Sequence, residues 1–483
     1  MSITSALNAA QSGLQITGLR ADVVADNVAN ATTEGYVRRS VNISENLLAG
    51  QTAGVRSDGV SRSEDARLNS ELRLTTSDMS QASVMASTWE TLSSQLGDTA
   101  EGTGLFAAFS DFETALEDAA LSPESSANAA AVLDAAKAMA SELNDLSSLV
   151  ESLRGEADQS INDGVGVVND ALEQIATLNN QILRAKDGSE HEAALLDERQ
   201  RVLDTIAEYM PIQTVERDNG AIEVLSSEGV YLVTTSGAKQ IEFTASAAFD
   251  ATRSLAGGDL SGLTVDGIDI TPGSSSYAAV SSGMFAALFT VRDTDLPEFS
   301  AQLDTIAGDL ISRLSEAGID STTADGEPGL FVDPDESSAP GLAGRIEVNA
   351  LVDPDQGGTI TRLRDGLNAT TVGPTGDATI LNNLLAAFTD LRAIDENGIQ
   401  GTFSSTNMVA QLASLTGQAS VHHDSVLAST TTQVTTMEEA IQSVSGVDID
   451  SQMQDLLLIE QAYAANARVI EVASAMLDQL MEL

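Results

Sequence analysis

Apolar positions near the two ends of the chain recur at alternating steps of four and three residues. At the C-terminal end the series is Ile449, Met453, Leu456, Glu460, Tyr463, Ala467, Ile470, Ser474, Leu477 and Met481, in a stretch from 447 to 483 that lacks both Gly and Pro. Such spacing marks the seam of a helix packed along its length against another helix. At 1.5 Å per residue the stretch would run roughly 55 Å. Asp448 or Ser451 can serve as N-cap, and Ser451 with Gln454 has capping-box spacing. Leu458, Ile459, Val469, Val472, Met476 and Leu480 lie off that seam, so this helix needs more than one neighbour. At the other end Ile3, Leu7, Ala10, Leu14, Thr17, Ala21, Val24 and Val28 follow the same alternation. The two ends are expected to pair as a coiled coil, with everything between them displayed as one large insertion.

The middle is patterned differently from place to place. Residues 63–150 are rich in Ala, Ser and Leu, with Leu105, Phe106, Phe109, Phe112 and Leu116 at helical spacing before a loop at Ser122-Pro123-Glu124. Val168, Leu172, Ile175, Leu178 and Ile182 predict a long helix from Val165 to Lys186; Asp187-Gly188-Ser189 breaks it, and a second helix restarts near Leu195. After Pro211 three alternating runs, 212–216, 221–225 and 230–234, predict a β-meander, and 263–270 a further hairpin. Helix resumes from Gly283 to Ala317. Residues 318–377 hold most of the prolines and are expected to be loop with short strands; helix is expected again from 378 to about 445.

The fold class is therefore mainly α with a β-rich insertion: paired terminal helices, a long-helix bundle and a small outward β domain. The expected division is 1–40 with 447–483 as a discontinuous coiled-coil domain, and 41–210, 284–318 and 378–446 as a helical core. Residues 211–283 make the β-rich insertion, and 319–377 a loop-rich, β-like segment.

Charge narrows the partners. The chain of 483 residues carries 72 acids against 23 bases, a formal charge of -49. Phosphate binding needs a cationic footprint, so neither nucleic acid nor an anionic membrane is an expected partner. Arginine is concentrated in the first eighty residues (Arg20, Arg38, Arg39, Arg56, Arg62, Arg67, Arg73), which makes the region expected to form contacts the least repulsive one. No cysteine is present, which excludes disulfides and thiolate sites. No apolar run reaches the length of a membrane span. No basic and then apolar leader precedes Arg20, so the chain is expected to stay in the cytoplasm or to leave without cleavage of a signal peptide.

Catalytic readings fare poorly. His191-Glu192 has no second histidine four residues on, and His422 and His423 point about 100° apart on a helix, so all three are expected on solvated surface. There is no nucleophile elbow and no phosphate loop. The acidic stretches at 320–327, 333–336 and 353–355 lack the ligand order of a calcium loop, and no metal or cofactor is expected. Trp89 reads as core.

Two motifs carry a resemblance. Asn27-Val28-Ala29-Asn30-Ala31-Thr32-Thr33-Glu34-Gly35-Tyr36 follows the first helix, and Glu460-Gln461-Ala462-Tyr463-Ala464-Ala465-Asn466-Ala467-Arg468-Val469-Ile470 lies in the last. Each is similar to a terminal signature of the flagellar axial family of rod, hook and hook-associated subunits. The middle resembles the hook-associated member between hook and filament, through Leu178-Asn179-Asn180-Gln181-Ile182, Leu196-Asp197-Glu198-Arg199 and Gly283-Met284-Phe285-Ala286-Ala287-Leu288. The Gly35-Tyr36-x-Arg38 ending suits that member better than rod or hook proteins.

The resemblance implies a non-enzymatic adaptor that polymerises with itself in a ring or helix at the hook tip. Its implied partners are the hook protein, hook-associated protein 3 and a cytoplasmic export chaperone, and its route outward is the flagellar type III apparatus. The residues expected at subunit interfaces are Leu7, Leu14, Asn27, Val28, Asn30, Thr33, Gly35 and Tyr36 at one end, with Leu456, Gln461, Tyr463, Asn466, Ile470, Leu477 and Leu480 at the other. The alternatives are another axial subunit (hook, distal rod or hook-associated protein 3) and a secreted acidic protein outside the flagellum.

Overall fold

A computed structural model describes residues 3–33, 35–48, 51–98, 100–324, 326–335 and 337–481. Helix α1 (Ile3–Ala29) is followed by a long antiparallel hairpin, β1 (Arg39–Leu48) and β2 (Gln51–Arg62), which lies along α1. Helices α2 (Ala66–Leu96) and α3 (Gly104–Leu121) lead to α4 (Ser126–Ile182), on which α5 (Glu190–Tyr209) folds back. Strands β3 (Ile212–Glu216), β4 (Ile222–Ser226), β5 (Tyr231–Thr234) and β6 (Gly237–Ala238) form an antiparallel meander. A second small sheet joins β7 (Ile241–Glu242), β8 (Thr264–Val265) and β9 (Ile268–Asp269).

Helix α6 (Gly283–Thr290) continues through a π-helical turn (Val291–Asp295) into α7 (Leu296–Leu314). Strands β10 (Phe331–Val332) and β11 (Glu347–Val348) pair, and the short helix α8 (Arg362–Asp365) precedes α9 (Thr379–Thr389). A hairpin of β12 (Arg392–Glu396) and β13 (Ile399–Phe403) then leads to α10 (Ser405–Ser445) and α11 (Ile449–Met481).

The body is built on α4. Ser125 caps it by accepting from Asn128 N at 3.2 Å, and its apolar stripe from Val132 to Ile182 is buried against α3, α5, α6 and α7. The helix has 57 residues, whereas the sequence pattern starts it only at Val165. Glycines inside it mask the rest, and Gly164 has a packing reason. A Cβ there would lie 2.7 Å from a ring carbon of Tyr209 and 2.9 Å from one of Phe285. Phe109, Phe112, Phe331 and Phe388 lock α3, β10 and α9 together with ring centroids 5.2–5.9 Å apart. The fully buried Arg292 is neutralised by Asp158 at 2.6 Å and Asp293 at 2.8 Å, and sits over Phe289.

Two expected helical stretches contain strands instead. Residues 41–48 and 51–62 belong to the β1–β2 hairpin, which packs on α1 rather than joining the helical core. The expected helix from 378 is broken by the β12–β13 hairpin, whose turn places Asn397 at φ 49° and Gly398 at φ 82°. Asn-Gly is the pair that a two-residue turn of this hand selects.

Candidate assembly interface

Helices α1 and α11 pair antiparallel: Ile3 lies by Val472 and Met476, Gly13 by Asn466, and Asn27 by Gln452. Asp448 accepts from Asp450 N and Ser451 N and is the N-cap of α11. The face of α11 turned to α1 carries Gln452, Ile459 and Ala473, all buried, with Asp455, Ala462, Asn466 and Ile470 half-buried between them. This spacing is heptad-like, but it is not the predicted seam. Of the predicted series only Ile470 is half-buried; Ile449, Met453, Leu456, Tyr463 and Leu477 are exposed by 37–53%. Small and polar side chains let the two helices approach closely. At Gly13 a Cβ would sit 2.7 Å from Asn466 Nδ2, which leaves no room for a side chain without moving that amide.

Asn27 is the hub of the lower end. It is 1% exposed, and all its hydrogen-bonding capacity is used. Its Nδ2 donates to Arg39 O and to Gln452 Oε1, each at 2.9 Å, while Oδ1 accepts from Tyr36 Oη and from Arg39 N, also at 2.9 Å. Asn30 and Thr33 shape the turn between: Thr33 N donates to Asn30 O and Tyr36 N to Thr33 O. Gly35 has φ +74° and a Cβ there would meet Arg201, so both conformation and space demand glycine. Burial pushes the Tyr36 phenol up to about 12, against the opposing pull of the Arg39 guanidinium 4.8 Å over its ring.

The base of the hairpin ties this unit to the body. Arg39 and Arg62 face each other across the strands, and both reach Asp197 of α5, at 2.9 Å to Oδ2 and 2.8 Å to Oδ1. All three side chains are at most 9% exposed. Farther along, Val60 N donates to Gly188 O at 2.7 Å, and Arg38 N donates to Ser445 O at 2.9 Å at the α10–α11 elbow. Six residues that carry this geometry (Gly13, Arg39, Arg62, Asp197, Gln452, Ile459) are not among the expected interface residues. Only Ile459 has a hydrophobic signal, and the others act by shape or through partners remote in sequence.

Of the expected interface residues, Asn27 is buried, while Leu7, Leu14, Val28, Asn30, Tyr36, Asn466 and Ile470 are half-buried within the terminal unit. Thr33, Gly35, Leu456, Gln461, Tyr463 and Leu477 are exposed, and the side chain of Leu480 lies outside the described residues. Thus much of the apolar surface of α11 is uncovered among the described residues. His423 departs from its expected solvated position: it is half-buried on α10, its ring stacked on Trp89 of α2 with centroids 6.0 Å apart, and burial lowers its pKa. No group of three or more metal-ligating side chains gathers among the described residues, and no helix there is long and apolar enough to cross a membrane.

The two ends thus pair with each other, the turn after the first helix is pinned, and the last helix carries exposed apolar side chains. Comparison with known proteins places such a chain in a family of structural subunits. Residues 79–331 match the family described as the flagellar hook-associated protein FlgK helical domain. Residues 439–483 match the flagellar basal body rod FlgEFG protein C-terminal family, and residues 7–36 the flagella basal body rod protein family. The chain belongs to the FlgK family of flagellar hook-associated proteins, structural components of the flagellum.

Among its relatives, flagellar hook-associated protein 1 of Bacillus subtilis is 24% identical, over 99% of this chain and 96% of that protein. The protein of the same name from Escherichia coli is 22% identical over the full length of both. The solved flagellar hook junction protein FlgK from Burkholderia pseudomallei aligns with 21% identity and a TM-score of 0.44, over 55% of this chain and 46% of that one.

Proposed function

We propose that this chain is a non-enzymatic adaptor that polymerises at the tip of the hook and joins hook to filament. The observation that carries the reading is the amount of apolar surface that α11 leaves uncovered beside its pairing with α1: Leu456, Leu457, Leu458, Tyr463, Val472, Met476 and Leu477 are 37–59% exposed. Monomers seldom leave so many large apolar side chains of one helix open, and each buried Leu or Ile contributes about 1.5–3 kcal/mol before ordering costs. Copies stacked head to tail cover such a face and generate a ring or helix rather than a closed dimer.

The neighbours in the assembly are the hook protein on one side and hook-associated protein 3 on the other. A cytoplasmic export chaperone holds the chain before it leaves through the flagellar type III apparatus. Neither nucleic acid nor membrane is a partner. The β1–β2 hairpin belongs with the terminal helices in the inner layer, and residues 211–283 and 319–377 face outward.

Deletion of the gene, with electron microscopy of the cells and an assay of flagellin in the medium, tests the role. The expected result is hooks without filaments and flagellin shed outside. Absence of hooks would move the protein into the rod or hook, and normal filaments would remove it from the junction.

A further inference from the structure

Three helical asparagines of this chain hold extended backbone in one way. Asn27 of α1 donates from Nδ2 to Arg39 O and accepts at Oδ1 from Arg39 N, each at 2.9 Å. Asn179 of α4 does the same to Ile222, at 2.8 and 3.1 Å. Asn169 of α4 does it to Ile241, at 2.9 and 2.8 Å. In each case the residue held is the first of a strand, β1, β4 or β7. The N–H and C=O of one extended residue point to the same side, and a side-chain amide presents the matching acceptor and donor. Bracketing of this kind is how helices of this chain fasten strands.

Asn69, in the first turns of α2, has the same chemistry and no strand. It is 6% exposed. Of the amide side chains buried among the described residues (Asn27, Asn69, Asn179, Asn349, Gln452), it alone makes no hydrogen bond. It borders a cleft of about 970 Å3 between α2, α5 and the last turns of α10, and a second cavity of about 130 Å3 beside the Gly35 turn. Glu208, Glu438 and Glu439 line the cleft and make no ion pair among the described residues. The two arginines there are already held, Arg73 by Asp204 at 2.7 Å and Arg201 by Glu198.

We propose that the cleft receives an extended peptide segment of another protein, its backbone bracketed by Asn69 and its basic side chains set against Glu208, Glu438 and Glu439. The buried amide selects peptide backbone, and the volume admits more than a single side chain. Unpaired carboxylates occur all over this acidic chain, so they decide only the charge of the guest; the amide decides that there is a site. A second copy is the poorer guest, because each copy carries a formal charge of -49.

The test is fluorescence anisotropy on the full-length chain with three labelled probes. One is a decapeptide of alternating arginine and threonine, the second has glutamate in place of arginine, and the third is the arginine peptide with its backbone amides methylated. The arginine peptide is expected to bind, the glutamate peptide not to bind, and the methylated peptide to bind about tenfold more weakly. Asn69→Ala keeps the parent Tm, because no bond within the chain is lost, and weakens the arginine peptide about tenfold; it changes nothing for the methylated peptide. Glu438→Gln with Glu439→Gln weakens the arginine peptide about fivefold at low salt and little at high salt.

Equal binding of the arginine peptide by Asn69→Ala, or equal binding of the methylated peptide by the parent, overturns the proposal by reducing it to general attraction to an acidic surface. Absence of binding overturns it, and so does a lowered Tm of Asn69→Ala, which makes Asn69 a structural residue. Self-association of the chain in sedimentation that Asn69→Ala abolishes makes a second copy the guest and overturns it too. The junction role is decided separately, by the hooks and filaments of the deletion strain.

Discussion

Asn27 donates a hydrogen bond from Nδ2 to Gln452 Oε1 at 2.9 Å, joining residues 425 positions apart. The same side chain holds the turn at Tyr36 and the first residue of the hairpin, Arg39. One amide therefore closes the two ends of the chain into a single unit. Asn27→Ala would leave the buried Arg39 N and Gln452 side chain short of partners. The expected cost is about 2–3 kcal/mol. Hydrogen exchange should show faster exchange in β1, β2 and the first turns of α11, with α4 unchanged.

Gly13 and Asn466 form the second point of registry. Gly13→Leu should splay the helices, since even a Cβ falls within 3 Å of the Asn466 side chain. Gly13→Ala is milder because the amide can rotate away, and Asn466→Ala should relieve it further. A double-mutant cycle by thermal unfolding is expected to give a coupling of about 0.5–2 kcal/mol between the two sites. Independent effects would mean that the helices do not meet there.

Asp197 carries the load between terminal unit and body. Asp197→Asn leaves Arg39 and Arg62 buried beside a neutral amide, although Arg62 keeps Glu64 at 2.7 Å. Breaking a buried pair in this way costs about 3–5 kcal/mol, and the retained Glu64 contact places the expected loss near the lower figure. Limited proteolysis should then release the β1–β2 hairpin and the terminal helices while the body resists. Because the site is shielded from water, the effect should change little between low and physiological salt.

These three sites also show what the sequence could disclose. Helical class and the meander are legible because they depend on local spacing, whereas the Asn397-Gly398 turn interrupts a stretch whose pattern reads as helix. The wrong seam in α11 has a physical cause. Hydrophobic periodicity finds the stripe Leu456, Tyr463 and Leu477, which the single chain leaves exposed, whereas the face that meets α1 uses Gln452 and Asn466, which carry no hydrophobic signal. The full length of α4 is hidden for a similar reason, since Gly164 is a packing residue under Tyr209 and Phe285 rather than a helix end. The terminal motifs mark the right places, but which atom meets which depends on partners hundreds of residues away.

A pH dependence follows from Asp295, at the end of the π-helical turn. Burial pushes its carboxyl from the ordinary 3.8 up to about 6, against a smaller opposing effect of Trp89. A raised carboxyl pKa favours the folded state at low pH, and that contribution disappears as pH rises through about 6. Asp295→Asn removes the titration. The difference in Tm between Asp295→Asn and the parent should therefore shift in favour of the variant between pH 4 and about 7, then stay constant. Fluorescence of Trp89, the single tryptophan, reports the same region.

The central claim is that the exposed apolar side chains of α11 are covered by neighbouring subunits at the hook tip. Leu477 tests it better than Ile470, because Ile470 is half-buried on the α1 side and its replacement would also disturb the pair. The measurement is electron microscopy of cells whose own copy of the gene carries Leu456→Asp with Leu477→Asp, together with assays of the variant and of flagellin in the medium. The account predicts a folded, exported variant, bare hooks and shed flagellin. Normal filaments with the variant seated at the junction would contradict it.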